Sequence, residues 1–320
     1  MDFFFIEYRD PIFGLIVFFA VIFLIVGLSF LWGVVSKQND KNKIKNFIAK
    51  FERTPNFTSE HENILQNLDT DTLFALAQVF SKNGDFEKVS NIYLIALKNT
   101  NKKSHREFIF TALGKSYLKA GFLKRSSEVF LEALKLGPRN TEALRYLIII
   151  YEKLRLYDEA LEALISLREH GVDTAVWAAY LKALKILHAN IKFDDKIAQI
   201  YDLSKDFELL KRLNLEQLLL RNEPINEANL PKFEDCIDLI YQKPNLLDKF
   251  NETSNSFYLQ LFDLAKKQNL RATLSFSYVC VECKSTYPLF FYRCPSCARL
   301  GSAKILSNIV EEKDEESATF

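Results

Sequence analysis

With 320 residues, 42 Lys+Arg against 41 Asp+Glu and a formal net charge of +1, the chain has no global electrostatic reason to bind nucleic acid, and no nucleic-acid partner is expected. Its 48% hydrophobic content excludes wholesale disorder, and only 9 Gly and 8 Pro leave too few turn residues for a β-sandwich or barrel. Five Cys in a chain this long do not make a secreted disulfide scaffold, so a mainly α protein with an appended module is expected.

Residues 1–11 read as a short non-cytoplasmic end. They carry Asp2, Glu7 and Asp10 against Arg9 alone, which is not the positive n-region of a cleaved signal peptide. Ile12 to Val35 is a run of 24 residues without a formal charge, 18 of them Leu, Ile, Val or Phe. A helix of that length reaches roughly 36 Å, enough to cross a hydrocarbon core of about 30 Å, so residues 12–35 are expected to form a single transmembrane helix. Lys37, Lys41, Lys43, Lys45 and Lys50 follow it, opposed only by Asp40. Lys and Arg concentrate on the cytoplasmic flank of a span, which places the bulk of the chain in the cytoplasm with its thiols reduced.

Residues 36–68 form a basic juxtamembrane segment and first helices, and self-similarity begins after them. Phe110, Leu113, Gly114, Tyr117, Ser126, Phe130, Ala133 and Pro138 stand at the signature offsets of the 34-residue tetratricopeptide repeat. Large groups at Leu113 and Tyr117 face the core. Gly114 and Ser126 let two antiparallel helices approach, Gly121 breaks the chain between them, and Pro138 ends the unit. Leu144, Leu147, Ile148, Tyr151, Ala160, Leu164 and Leu167 repeat the register. So do Leu73, Leu76, Ala77, Phe80, Val89, Tyr93 and Ala96, with a three-residue insertion before the next unit. Residues 69–174 are therefore repeats, and such stacks present extended surfaces for protein or peptide partners. Residues 175–272 read as divergent helical repeats, with Ala175–Ala189, Lys196–Asn222 and Ser256–Lys267 as helical segments.

In residues 273–309, Cys280, Cys283, Cys294 and Cys297 form C-x2-C and C-P-x-C separated by ten residues. Two such pairs complete a tetrahedron of thiolates around one metal ion. Redox dithiols, disulfides and an iron–sulfur cluster are the competing readings. For a structural mononuclear site zinc is favoured over iron, which stays open. Four thiolates leave no open coordination position, so the site reads as structural, and a unit this small would draw most of its folding free energy from the metal. Cys236 reads as a small buried residue on a helix. His61, His105, His170 and His188 are scattered, and His170 precedes Gly171 at a helix end, where a cation suits the dipole. No phosphate-binding, dinucleotide, zinc-protease or serine-hydrolase motif occurs, so no catalytic residue is proposed and no enzyme is expected. Residues 310–320 are an acidic tail expected to be disordered.

An amino-terminal span, repeats and a C-x2-C…C-P-S-C module, in that order, resemble the lipopolysaccharide assembly protein B family of the bacterial inner membrane. The likeness covers essentially the whole chain. Leu113-Gly-Lys-Ser-Tyr-Leu-Lys-Ala-Gly and Tyr292-Arg-Cys-Pro-Ser-Cys are its most specific parts. The resemblance implies a single transmembrane helix, an α-solenoid of tetratricopeptide repeats and a rubredoxin-like metal-binding ribbon packed against the repeats and required for activity. It further implies an inner-membrane adaptor that brings the deacetylase of lipid A synthesis to an AAA+ membrane protease and helps to organise lipopolysaccharide synthesis. A homodimer is compatible with it. Rubredoxin-type knuckles often carry Gly after the second Cys, whereas Lys284 and Ala298 stand there in this chain. The competing functions are a general scaffold for another envelope complex and a metal-dependent redox protein.

Overall fold

The computed structural model describes residues 17–29, 31, 45–49, 59–221, 223, 225, 230–241, 261, 264, 267, 268 and 271–311. They fall into two compact units on either side of the Pro138–Arg139 bond.

In the first unit, residues 17–29 are helical, and every side chain of that stretch is exposed, Phe18, Phe23 and Leu24 among them. The rest of the expected 12–35 span, apart from residue 31, lies outside the described residues. Thirteen helical residues reach only about 20 Å, and among the described residues no helix is long and apolar enough to cross a membrane. A helical piece at 45–49 buries Ile48 and sets Phe47 edge-on against Phe110, with centroids 5.1 Å apart. Helix α1 follows at Ser59–Gln66.

Two antiparallel hairpins come next. Helices α2 (Thr70–Lys82) and α3 (Phe86–Asn99) form the first, α4 (Lys103–Lys119) and α5 (Leu123–Leu136) the second. Asp69 and Asp85 cap α2 and α3 by accepting the N–H of Thr72 and of Lys88. Each hairpin turns through a glycine in the left-handed region, Gly84 at φ +78° and Gly121 at φ +82°. The hydrogen bonds are those of a Schellman stop: the Asp85 N–H donates to Phe80 O at 3.0 Å, and the Phe122 N–H to Tyr117 O at 2.9 Å.

The repeat register corresponds to packing atom by atom. Phe110, Leu113, Tyr117, Phe130 and Ala133 are buried, and Ser126 Oγ donates to the Gly114 carbonyl at 2.7 Å. A Cβ on Gly114 would sit 2.8–2.9 Å from three atoms of the Phe130 ring, so the two helices meet this closely only over glycine. We expect Gly114→Ala to lower stability by about 1–3 kcal/mol through overpacking, despite the better helix propensity of Ala. Urea unfolding measures the loss, and adding Phe130→Leu should recover part of it.

The second unit opens with a third hairpin in the same register, α6 (Thr141–Lys153) and α7 (Tyr157–Glu169), capped by Asn140 accepting from the Ala143 N–H at 2.9 Å. One repeat length after Gly121, the left-handed turn position is held by Arg155 at φ +60°. Its stop is the same, with the Leu156 N–H donating to Tyr151 O at 2.9 Å. A Cβ in that conformation is strained. We expect Arg155→Gly to raise stability by about 1 kcal/mol, visible as a higher melting temperature.

Beyond Gly171 lie α8 (Ala175–His188), α9 (Phe193–Ser204) and α10 (Glu208–Arg221), with α9 and α10 forming a further antiparallel pair. The expected helical segment Lys196–Asn222 is thus two helices. Apolar spacing runs through the break, but Ser204 Oγ donates to Tyr201 O at 2.7 Å and closes α9, and the Phe207 N–H turns back onto Ser204 O. Most of Ser256–Lys267 lies outside the described residues. A 3-10 turn at Phe233–Asp235 and the short α11 (Ile237–Ile240) precede the ribbon. The ribbon is a three-stranded antiparallel sheet of order β2-β1-β3, from β1 (Ala272–Cys280), β2 (Thr286–Tyr287) and β3 (Ala303–Glu311). Of the expected acidic tail, Val310 and Glu311 pair with Thr273 and Ala272 in this sheet, and residues 312–320 lie outside the described residues.

Candidate metal centre

Two backbone turns of the same shape bring the four cysteines together. In the first, Lys284 at φ +62° donates its N–H to Cys280 O at 2.9 Å, and the Cys280 N–H reaches Ser285 O at 3.0 Å. In the second, Ala298 at φ +58° donates to Cys294 O at 2.9 Å, and the Cys294 N–H reaches Arg299 O at 2.9 Å. The residue after the second Cys of each pair is left-handed, as in knuckles that carry Gly there, and this chain places Lys and Ala in that conformation.

The sulfurs of Cys280, Cys283, Cys294 and Cys297 all lie within 4.8 Å of one another. Cys280 Sγ is 3.6 Å from Cys297 Sγ, and Cys283 Sγ is 3.6 Å from Cys294 Sγ. Bonds of about 2.3 Å to a tetrahedral ion give sulfur spacings of about 3.8 Å, so the donor set fits one such ion. Cys280 and Cys294 are buried and Cys283 and Cys297 exposed, so the site lies at the ribbon surface, and no disulfide links them.

Burial pushes the Cys280 thiol up, but hydrogen bonds from Ser302 Oγ and from the N–H groups of Cys283 and Glu282 outweigh it and hold it at about 6. Burial and the neighbouring sulfurs push Cys297 up to about 12. Thiolates packed this closely repel, and a bound dication would supply the compensating charge. With Cys280 as the thiol, its S–H donates to Ser302 Oγ at 3.2 Å while Ser302 Oγ donates its one proton to Arg299 O at 3.2 Å. Cys236 is apart from this cluster. It is fully buried at the turn into α11 rather than within a helix, and burial pushes its thiol up to about 12.

The ribbon is clamped to the helices of its own unit by groups flanking the ligands. Arg293, next to Cys294, donates from Nε and Nη2 to both carboxylate oxygens of Glu152 on α6, the shortest contact being 2.6 Å. Those two side chains are 8% and 11% exposed. Arg293 also lies over the Trp177 ring at 4.9 Å and donates from Nη1 to Ala298 O at 2.9 Å, inside the second knuckle. Tyr292 stacks on Tyr180 and donates to Glu216 Oε2 on α10 at 2.6 Å. Burial, then the Glu216 carboxylate, holds the Tyr292 hydroxyl far above its ordinary value.

A second clamp lies deeper. Arg212 on α10 makes a buried two-pronged pair with Asp238, at 2.8 and 2.7 Å, and Tyr278 of β1 donates to the same carboxylate at 2.8 Å. The Arg212 guanidinium lies 3.5 Å from the centre of the Phe290 ring. Leu274, Phe276, Ile305 and Ile309 pack with Leu215 and Ile237 beneath the sheet. Beside the joint is an open cleft of about 630 Å³ whose walls include Trp177, Phe207 and Phe291.

None of Glu152, Glu216, Arg212, Asp238 or Tyr278 stands out in the sequence. Only Arg293 and Tyr292 carry a signal, because they belong to the Tyr292-Arg-Cys-Pro-Ser-Cys knuckle. His170 caps the end of α7 beside Gly171, and His188 Nδ1 lies 3.1 Å from Tyr157 Oη, so these histidines serve helix ends and packing.

Helix hairpins in tetratricopeptide register joined to a four-cysteine ribbon define the class: a helical repeat protein with an appended four-cysteine module. No protein-family model matches the chain. Over 93 residues it is 39% identical to an Arabidopsis thaliana protein described as "Protein CTR9 homolog". That match covers 28% of this chain and 8% of the plant protein, so the chain spans less than a tenth of that relative's length. Among solved structures the chain is similar to MamA 41-end from Desulfovibrio magneticus RS-1, at 16% identity and TM-score 0.40, over 55% of this chain and 97% of that one. It is also similar to YrrB, titled a TPR protein with an unusual peptide-binding site, at 16% identity and TM-score 0.38, over 57% of this chain and 92% of that one. A third is BtubC from P. vanneervenii, at 15% identity and TM-score 0.32, over 73% of this chain and 89% of that one.

Proposed function

We propose that the chain is a membrane-anchored, non-enzymatic adaptor whose helix hairpins bind partner proteins and whose ribbon is a structural zinc module. The observation that carries this reading is the joint between ribbon and hairpins. Arg293 and Tyr292 flank a ligand cysteine and spend their polar groups on Glu152 and Glu216, so the metal site braces a repeat surface. Four thiolates fill a tetrahedral ion, leaving no position for a substrate. The exposed apolar helix at 17–29 supports an anchor, and the lysines beyond it support a cytoplasmic body on a single-pass inner-membrane protein.

The specific form of the proposal rests on the resemblance to the lipopolysaccharide assembly protein B family. In it, this chain brings the lipid A pathway deacetylase to an AAA+ membrane protease and so limits lipopolysaccharide output. The test is the half-life of that deacetylase after depletion of the chain, with wild type or Cys294→Ser restored. A half-life lengthened by depletion and shortened again only by wild type is expected. An unchanged half-life overturns the regulatory form and leaves a scaffold with another client.

A further inference from the structure

Strand β3 is an outermost strand of the ribbon sheet, nine residues long and in unbroken register with β1. Which way its backbone groups face follows from β1. Cys280 and Leu274 donate their N–H groups away from β3, to Ser285 O at 3.0 Å and to the Tyr241 hydroxyl at 3.2 Å. Opposed residues of an antiparallel ladder exchange both hydrogen bonds or neither. Ala303 and Ile309, opposite Cys280 and Leu274, therefore turn their N–H and C=O away from β1. Ile305 and Ser307, between them, do the same. Among the described residues these outward groups meet no backbone partner. Open edges are usually blunted by proline, a bulge or a row of lysines. β3 carries one lysine, Lys304, with no proline and no bulge.

This edge opens on the cleft of about 630 Å³, which Ala303 and Ile305 line together with Val176, Trp177, Phe207 and Leu209 from the helical part of the unit. The cleft also holds Asp206, Glu208 and Asp235. Glu208 pairs with Lys211, but among the described residues Asp206 and Asp235 form no ion pair. Partial burial pushes the Asp235 carboxyl up, and the Glu208 carboxylate adds to it. Of the arginines in the cleft, Arg212 is spent on Asp238 and Arg299 lies 3.6 Å from Glu282, which leaves Arg145 on α6. Another extended backbone offers donors and acceptors at the spacing of such an edge. A second copy of the chain would bring the same acids to it. We infer that an extended segment of a partner protein adds as a fourth strand on the outer edge of β3, its apolar side chains in the cleft and a Lys or Arg facing Asp206 and Asp235. The inference rests on the adaptor reading and gives the partner's contact its form.

The test selects a phage-displayed library of random dodecapeptides on the full-length chain in detergent micelles, then measures the enriched peptides by fluorescence anisotropy. Peptides with alternating apolar residues and at least one Lys or Arg are expected. In an added strand every second N–H faces β3, so N-methylation of the peptide should abolish binding at alternate positions and spare those between. Hydrogen exchange at the Ile305 and Ser307 amides should slow about tenfold or more on binding. Ser307→Pro removes an outward donor and leaves the β1–β3 ladder whole, so binding should fall about tenfold with metal content kept. Asp206→Lys, an exposed change, should weaken the basic peptides severalfold. N-methylation alters no residue of the protein and decides the matter even if Ser307→Pro loses its metal. Peptides indifferent to the position of the N-methyl group, or that leave the β3 amides unprotected, overturn the added strand. Absence of any enriched peptide also overturns it, and the deacetylase half-life then judges the adaptor by itself. Protection of these amides that rises with protein concentration, without peptide, overturns the inference in favour of a second copy.

Discussion

Replacing Cys294 by Ser is expected to lower bound metal from one ion per chain to near zero and to unfold the ribbon. Cys294 is 1% exposed, and its backbone N–H and C=O close the second knuckle. The ribbon's own core is small, with Tyr278, Cys280, Phe291 and Cys294 as its buried members. Structural zinc contributes roughly 10–16 kcal/mol to folding modules of this type, far more than such a core supplies. Losing one of four thiolates leaves a weaker three-sulfur site and a hydroxyl where burial favours a metal-bound thiolate. Elemental analysis gives the stoichiometry, and hydrogen exchange reads the ribbon directly. Amides of residues 272–311 should lose protection in Cys294→Ser, and those of 103–136 should keep theirs. Full metal content together with retained protection would show that the four sulfurs meet for packing alone.

What the sequence makes legible divides by distance along the chain. The hairpin register is local: Leu113, Gly114, Ser126 and Phe130 meet within one 34-residue unit, so their spacing reports their contact. The metal ligands are local for the same reason, since a C-x2-C knuckle is set by its own turn. Arg155 shows where a local rule bends. The turn demands a left-handed residue, and the chain supplies one without glycine, so a search for glycine misses it. The break between α9 and α10 is invisible because apolar spacing continues through Lys205–Phe207, while a Ser204 side-chain bond ends the helix. The clamps are the part that spacing cannot give. Arg293 and Glu152 are 141 residues apart, and each alone resembles any surface charge until the fold buries both.

That burial makes Arg293→Ala the substitution with the next largest expected effect, about 3–5 kcal/mol of stability. The loss is larger than an ion pair of this kind contributes at a surface, where about 0–1 kcal/mol is usual. Removing the guanidinium takes the partner from the Glu152 carboxylate, which is 11% exposed in the intact pair, and uncovers the Trp177 ring. The lost Nη1 bond to Ala298 O also frees the second knuckle, where Ala298 already holds a left-handed φ of +58°. Two consequences should therefore appear together. Urea unfolding should shift to lower concentration, and a chelator should strip the metal faster than from wild type. A double-mutant cycle separates the causes. Glu152→Leu with Arg293→Met removes the stranded charge and should recover most of the stability, since apolar pairs replace buried ion pairs at little cost. The metal should remain more labile in the double variant, because neither replacement donates to Ala298 O. If Arg293→Ala instead costs less than about 1 kcal/mol, the pair behaves as an exposed one and the ribbon is held to the helices by its apolar contacts, the Tyr292–Glu216 bond and Arg212.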